Sequence, residues 1–216
     1  VTATVGTPSD IVLTPSTTDA SCSGATDGSA TLLGGVSGGT PNLGGSYNYS
    51  WAGGVATTIN YTGLSAGSYN VTVSDANGCT QSTSVTIGEP NLLVLTVSEI
   101  AEASCFGDAD GQAQAVVTGG TSPYSFSWIS NLTGLPLNPA QITAISTDTS
   151  NANLLTAGTY SVTVSDVASG IGGCPTAIEP NVVINKPALL EANLTVDSVT
   201  CFGGNDGKAL VSPTGG

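Results

Sequence analysis

Cysteine is the residue whose chemistry is most specific in this chain. Its five copies are widely spaced and stand at Cys22, Cys79, Cys105, Cys174 and Cys201. Thiols in such positions oxidise to disulfides in exported proteins, where an odd total is unexpected. The alternatives are free buried thiols or a metal site. Zinc is disfavoured because the chain has no histidine and no close Cys-x-x-Cys pair.

Aspartate supplies the second candidate chemistry. An Asp-Gly pair follows three of the cysteines, at Asp27, Asp110 and Asp206. We interpret the pair as a tight turn, in which Asp bonds to the backbone and Gly supplies a positive φ. The functional alternative is Ca²⁺, a hard cation that takes several oxygen ligands. Its weak candidates are Asp108, Asp110 and Asp166, although no EF-hand spacing is present.

Catalytic chemistry has little support in the sequence. Without histidine, neither a Ser-His-Asp triad nor a histidine acid–base pair can form. Paired carboxylates can hydrolyse glycosides, but no pair here falls in a pattern that would form a pocket. We therefore expect no enzyme activity, no catalytic residue and no cofactor, with calcium as the alternative.

The cysteines and aspartates lie in a block that recurs along the chain. Its opening motif reads Cys-x-Gly-x-x-Asp-Gly and occurs at 22–28, 105–111 and 201–207. Downstream, Gly-x-Tyr-x-Val-Thr-Val-Ser-Asp ends at Asp75 and again at Asp166, and each copy leads to Gly-Cys. Tandem copies of this kind predict modules that build length and surface rather than a catalytic cleft.

Alternating apolar and polar residues predict that each module is built from β-strands. The alternation is clear at 71–74, 84–87, 124–128 and 162–165. Gly and Pro punctuate the chain at short intervals, and no amphipathic helix is evident. Short strands with a turn signal roughly every 8–12 residues predict an all-β sandwich. The second repeat carries an insertion at 129–150, which we place in a surface loop.

The same landmarks divide the chain into four segments. Residues 9–90 and 91–187 are complete repeats, and each ends in a strand that closes on proline. Residues 1–8 align with the closing strand of a preceding repeat, and residues 188–216 align with the opening strands of a following one. We therefore expect the sequence to be a window on a longer array. No signal peptide opens it, so we expect export to be directed by a segment outside this window.

Composition limits the partners that this surface can bind. The formal net charge is −13 and only two residues are basic, so nucleic acid and anionic membranes should be repelled. No apolar run is long enough to insert into a membrane. Only 8% of residues are charged, so solubility depends on Ser, Thr, Asn and Gly, which is typical of extracellular surfaces.

The recurring motifs resemble the SprB-repeat family. After the opening motif, its pattern continues with Gly-Gly-x-x-Pro-Tyr and a tryptophan, present here from Gly119 to Tyr124 and at Trp128. Leu-x-x-Gly-x-Tyr and Gly-Cys then follow in order, although the first repeat has a longer loop before Tyr47. The resemblance implies Ig-like repeats of very large adhesins, secreted to the surface of gliding bacteria and without enzymatic activity.

Alignment of the repeats assigns partners to the cysteines. We predict one disulfide per repeat, Cys22–Cys79 and Cys105–Cys174, with the partner of Cys201 beyond the last residue of the sequence. Each bond would tie the start of the second strand to the loop before the last strand.

The aromatic residues are expected to be structural. Tyr69 and Tyr160 stand where Ig-like sandwiches place the tyrosine corner, a hydroxyl that bonds to backbone. Trp51 and Trp128 are predicted core residues, with a sugar-stacking platform as the alternative. Ser198 lies in an Asp-Ser-apolar triplet that resembles a bacterial O-glycosylation signal, and we treat it as a weak candidate.

These observations favour a stalk or fibre segment of a long, secreted cell-surface adhesin that gives reach and attachment. Its expected partners are adjacent repeats of the same chain, with other copies in a filament and surface polysaccharide as further candidates. Two alternatives stay open, namely lectin-like carbohydrate-binding repeats and accessory modules of a secreted enzyme. Phe106 and Phe202 are the candidate sugar-contact residues, although Ser23 replaces them in the first repeat.

Overall fold

The chain folds into β-strands joined by turns, as its alternation predicts. The computed structural model describes residues 6–52, 56–168 and 174–216. Within these residues a short 3₁₀ turn at Pro139–Gln141 accompanies the strands, and the chain divides into two units. The first unit takes the described residues of Val1–Leu93, Gly119–Thr121 and Asp166–Pro175, and the second takes those of Val94–Thr118, Ser122–Ser165 and Thr176–Gly216.

The strands of the first unit form two three-stranded sheets and one small ladder. They are β1 Val12–Leu13, β2 Ser16–Thr18, β3 Gly28–Thr31, β4 Val36–Ser37, β5 Asn48–Trp51, β6 Asn60–Leu64, β7 Gly67–Ser74 and β8 Thr80–Ile87. One sheet has the order β2-β3-β6 and the other β5-β7-β8, while β1 pairs with β4. Every pairing is antiparallel.

The strands of the second unit form a fuller version of the same arrangement. They are β9 Val94–Ala101, β10 Ala109–Thr118, β11 Ser125–Ser130, β12 Ile142–Ser146, β13 Thr149–Thr156, β14 Gly158–Ser165, β15 Ala177–Ile184, β16 Glu191–Asp197 and β17 Lys208–Thr214. The sheets are β12-β13-β10-β9 and β11-β14-β15, and β16 pairs with β17.

Strand connectivity identifies both sandwiches as Ig-like. In constant-type immunoglobulin domains, strands A, B, E and D form one sheet and strands C, F and G form the other. Strands β9, β10, β13 and β12 occupy positions A, B, E and D, and β11, β14 and β15 occupy C, F and G. The first sandwich repeats this order without a D strand among its described residues. The prediction of tandem Ig-like sandwiches is confirmed.

Each sandwich closes over a core of aliphatic side chains around one tryptophan. Trp51 on β5 and Trp128 on β11 are 0% and 1% exposed. Small residues face them from the opposite sheet, Ala30 on β3 and Ala113 on β10. The two tryptophans are therefore core residues, as predicted, and neither is available as a sugar-stacking surface.

The insertion in the second repeat is not a plain surface loop. It contains β12 and runs into β13, a strand that the sequence interpretation did not predict. Side chains of β13 alternate between partly exposed and buried, with Ser150 and Ala152 pointing into the core. The corresponding strand of the first repeat is observed at Asn60–Leu64.

Ig-like connectivity places the A–B loop and the F–G loop at opposite ends of a sandwich. In the first sandwich, Ala20 of the A–B loop donates its N–H to the carbonyl of Gly88, just after β8. Cys79 in the F–G loop stands immediately before β8. An eight-residue strand separates these two ends by roughly 25 Å at the usual rise per residue.

Candidate functional site: the cysteine loops

An aspartate organises each loop that carries the opening motif. In these opening loops, residues 20–28, 103–111 and 199–207, the carboxylate accepts a backbone N–H bond from the residue before the cysteine. Asp27 accepts from Ser21 at 2.9 Å, and the same bond joins Asp110 to Ser104 and Asp206 to Thr200. The glycine two positions after the cysteine has a positive φ, for example +77° at Gly24, which allows the chain to reverse its direction in the loop.

Glycine of the Asp-Gly pair has a different role from the one predicted. No positive φ occurs at Gly28 or Gly111, so the expected tight turn is wrong. A Cβ on Gly28 would lie 2.6 Å from Ile87 and 2.8 Å from the carbonyl oxygen of Leu64. Gly111 is equally crowded. Glycine is needed here because the backbone lies directly against the end of the core.

A second aspartate organises the loop that carries the Gly-Cys pair. In the closing loop 75–79, Asp75 is 3% exposed and accepts three backbone N–H bonds. The donors are Thr40 at 2.9 Å, Asn77 at 3.0 Å and Cys79 at 2.9 Å. The bond from Thr40, ahead of those from Cys79 and Asn77, lowers the pKa of Asp75, although burial opposes it.

The second closing loop is organised in the same way. Asp166 accepts backbone N–H bonds from Thr121 at 2.9 Å and from Ala168 at 3.1 Å. Thr121 follows a Gly-Gly pair just as Thr40 does. The Gly173 that precedes Cys174 in the sequence motif lies outside the described residues.

Acidification should destabilise the first unit through Asp27 and Asp75. Hydrogen bonds from the hydroxyl and backbone N–H of Ser21 lower the pKa of Asp27, as those from Thr40 do for Asp75. Each contribution is complete above the unfolded pKa of about 4 and is lost as pH falls through the lower folded pKa. We expect a melting temperature that is level near neutral pH and drops below about pH 4, measured by circular dichroism.

Asp75→Asn tests the source of this acid sensitivity. The variant should melt at a lower temperature than the parent at pH 7 and should lose less stability on acidification. Asp10→Asn is the matched control for the change in charge, because Asp10 is an exposed residue. An Asp75→Asn profile that superimposes on the parent profile would exclude this carboxylate as the source.

The cysteines pair differently from the sequence prediction. Cys22 bonds to Cys174, with a Cα–Cα distance of 5.8 Å and a sequence separation of 152. The predicted pairs Cys22–Cys79 and Cys105–Cys174 are therefore wrong, and Cys79, Cys105 and Cys201 are free and exposed. The bond lies within the first unit, but it joins the opening loop of one sequence repeat to the closing loop of the next.

Topology explains why the two cysteines of one repeat do not meet. Cys22 lies in an A–B loop and Cys79 in an F–G loop, at opposite ends of the sandwich. Their separation of roughly 25 Å far exceeds the Cα–Cα limit of about 7 Å for a disulfide. Between repeats the ends can meet, and Cys22 and Cys174 are buried together with Ala20, Ala25 and Ala168.

The calcium candidates are held by protein donors. Asp110 accepts from Ser104, and the Ser104 hydroxyl lies 3.3 Å from Asp108. Asp108 and Asp110 belong to the second unit, whereas Asp166 belongs to the first. Among the described residues, no group of three or more acidic, cysteine or histidine side chains is arranged to hold a metal. Calcium binding stays an untested alternative.

Both predicted tyrosine corners are confirmed. The Tyr69 hydroxyl donates to the carbonyl of Ser65, and that of Tyr160 donates to the carbonyl of Thr156, each at 2.9 Å. These bonds fix the turn into strand F of each sandwich. The tyrosines therefore stabilise the fold at the end that carries the opening loop.

The remaining candidates are surface residues. Phe106 is 52% exposed and Phe202 is 110% exposed, and the Lys186 ammonium lies 3.9 Å from the Phe106 ring centroid, a cation–π contact. Ser198 is exposed just after β16, and its glycosylation stays a prediction. Within the part of the chain that the structure describes, no helix has the length and apolarity needed to cross a membrane.

Fold and loops together define a tandem array of Ig-like sandwich repeats with a cysteine at each end. The family model named SprB repeat matches residues 14–56, 97–133 and 193–216. Each match includes one opening motif. The resemblance seen in the motifs is thereby confirmed, and these segments are SprB repeats. They mark the chain as a segment built of repeats. No curated protein matches the chain.

Solved structures with a similar fold are multi-domain Ig proteins. A fragment of the I-band of titin is 13% identical, with 85% of this chain and 68% of that chain covered and a TM-score of 0.45. The N-terminal eight Ig domains of the Down syndrome cell adhesion molecule are 11% identical, with 93% and 28% covered and a TM-score of 0.44. This chain therefore spans well under half of the latter structure, and the likeness concerns fold alone.

Proposed function

We propose that this chain is a structural segment of a long, secreted cell-surface adhesin, where it serves as stalk or fibre. The observation that carries the proposal is the bond between Cys22 and Cys174, which ties one SprB repeat covalently to the next. Bonds of this kind form and persist in oxidising, extracellular environments. An array that is braced between its modules suits reach and attachment better than turnover of a substrate.

Surface chemistry supports the same role. A net charge of −13 with two basic residues disfavours nucleic acid and anionic membrane as partners. A surface with almost no lysine or arginine also offers few sites to trypsin-like proteases, which is useful for a fibre outside the cell. The partners that we propose are adjacent repeats, and the role is not enzymatic.

Carbohydrate binding is the second candidate, and one observation favours it. Phe106 and Phe202 are exposed aromatic residues in opening loops, and exposed aromatic faces can stack on sugars. Under this reading the isolated chain should bind glycans, and Phe106→Ala with Phe202→Ala should abolish the binding. Under the stalk reading the isolated chain binds none.

Deleting residues 9–187 from the full-length protein tests the stalk reading on cells. The deletion removes two complete repeats and rejoins Pro8 to Ala188, so the remaining repeats stay in register. We expect the surface fibre seen by electron microscopy to shorten by two modules. Attachment under flow should fall because the adhesive end no longer reaches as far.

The control for this deletion replaces residues 9–187 by the same two repeats in the opposite order, 91–187 followed by 9–90. Fibre length and attachment should then equal those of the parent, since the number of modules is unchanged. Unaltered fibre length after the deletion, or antibody labelling only inside permeabilised cells, would contradict a stalk at the cell surface.

A further inference from the structure

The opening loop of the first repeat and the closing loop of the second lie together where Cys22 is bonded to Cys174. Opening-loop Cys22 of the first repeat and closing-loop Cys174 of the second are joined there. Beside them, a space of only about 10 Å³ remains against Leu93, Gly120 and Asp166. The two end surfaces thus leave almost no gap between them.

The closing-end surface occurs a second time, and no opening loop among the described residues lines it. Its residues are the counterparts, in the repeat alignment, of those at the joined end: Ile11, Gly39, Asp75 and Cys79. Here they line an open recess of about 320 Å³. The thiol of Cys79 at this recess is exposed and free. The same surface is therefore closed where an opening loop is bonded to it and open where none is.

The opening-end surface also occurs a second time. Cys105 lines a recess of about 290 Å³ together with Leu190 and Gly216. These two residues are the counterparts of Leu93 and Gly120 in the segment that follows the second repeat. Cys105 therefore lies over the first part of a following repeat, as Cys22 lies over Leu93. No counterpart of Cys174 lines this recess.

We propose that Cys79 and Cys105 are junction cysteines that each bond to a further repeat of the same kind placed in tandem. Cys79 takes the opening-loop cysteine of a preceding repeat, and Cys105 takes the closing-loop cysteine of a following repeat. The occupant of both recesses is the end surface of another SprB repeat, because that is what occupies the third copy. This rule depends on the tandem array and not on the adhesive role, so the two can fail separately.

The chemistry of each junction is an ordinary thiol oxidation. Two thiols lose two protons and two electrons, and one S–S bond forms. The electron acceptor is a disulfide, carried by an oxidoreductase or by oxidised glutathione. One cysteine thiolate attacks the acceptor disulfide, which forms a mixed disulfide and releases the first acceptor thiol. The second cysteine then attacks the protein sulfur of the mixed disulfide, which forms the new S–S bond and releases the second acceptor thiol. Exposure of Cys79 and Cys105 allows the first attack.

An extended chain tests the rule directly. Residues 121–187 are appended in a second copy after Gly216, which completes the third repeat because Gly216 aligns with Gly120. The protein is refolded with reduced and oxidised glutathione, and peptides are mapped without reduction. We expect Cys105 to be linked to the appended closing-loop cysteine, while Cys79 and Cys201 are alkylated as free thiols.

The matched control carries serine at the appended closing-loop cysteine, and its Cys105 should be alkylated in full. A bond between Cys201 and the appended cysteine in the extended chain would overturn the rule, because it would place the bridge within one repeat. Recovery of Cys105 as a free thiol in the extended chain would overturn it as well.

The unextended chain provides a second measurement that does not depend on folding of the extension. Iodoacetamide without reductant should label Cys79, Cys105 and Cys201 and should leave Cys22 and Cys174 unlabelled. A chain in which Cys105 is protected, or in which Cys22 is found linked to Cys79, would overturn the proposal.

Discussion

Replacing Cys22 by serine is expected to lower the free energy of global unfolding by about 5 kcal/mol in the chain-entropy model. The reason is the length of the loop that the bond closes, since Cys22 and Cys174 are 152 residues apart in sequence. A bond across so long a loop removes many conformations from the unfolded chain. Guanidinium unfolding monitored by circular dichroism measures the loss.

Cys79→Ser is the matched control for this substitution. Cys79 is exposed and unbonded, so its replacement should change the free energy of unfolding by no more than about 0.5 kcal/mol. Reduction of the parent with dithiothreitol should reproduce the Cys22→Ser curve. Equal stability of Cys22→Ser and the parent, or a large loss on Cys79→Ser, would contradict the observed pairing.

Trp128→Ala is expected to lower the stability of the second unit by about 3–5 kcal/mol. The indole is 1% exposed at the centre of the core, and its N–H donates to the hydroxyl of buried Ser150 at 3.2 Å. Truncation leaves a cavity and removes the partner of a buried polar group. Hydrogen exchange of the β14 and β15 amides measures the loss.

The second tryptophan allows the stability of the first unit to be measured separately. Trp51 belongs to the first unit, so its fluorescence should report an unchanged unfolding midpoint there in Trp128→Ala. Leu132→Ala is the surface control, because Leu132 is 92% exposed and should cost less than about 0.5 kcal/mol. Similar exchange rates in Trp128→Ala and Leu132→Ala would show that the indole is not part of the core.

Alternation predicts strands well where the buried side chains are aliphatic. The alternation at 84–87 lies within the observed strand Thr80–Ile87, because Val85 and Ile87 mark its inward face. The strand Thr149–Thr156 was missed because small residues, Ser150 and Ala152, carry its alternation. Hydropathy gives these residues little weight, although they are buried as fully as valine.

Disulfide pairing could not be predicted from repeat alignment alone. Alignment shows that Cys22 and Cys79 recur together, but it does not show that their loops lie at opposite ends of the sandwich. The order of the strands gives that information, because the A–B loop and the F–G loop lie at opposite ends of a sandwich with Ig-like connectivity. An explicit strand topology would have predicted pairing between repeats.

Backbone crowding was equally hidden from the sequence. Asp-Gly is a turn signal in most chains, and here its aspartate does bond to backbone, in the case of Asp27 to Ser21. The role of Gly28 depends instead on Ile87, which is distant in sequence and adjacent in space. A tertiary contact of this kind has no local signature.

A disulfide that spans two modules also changes how the chain carries mechanical load. When the chain is pulled from residues before Cys22 and after Cys174, tension passes through the sulfur atoms and bypasses the polypeptide between them. Those residues would measure roughly 500 Å if fully extended, and the intact bond prevents this extension. That segment therefore cannot lengthen under tension while the bond is intact, and reduction of the bond would release it.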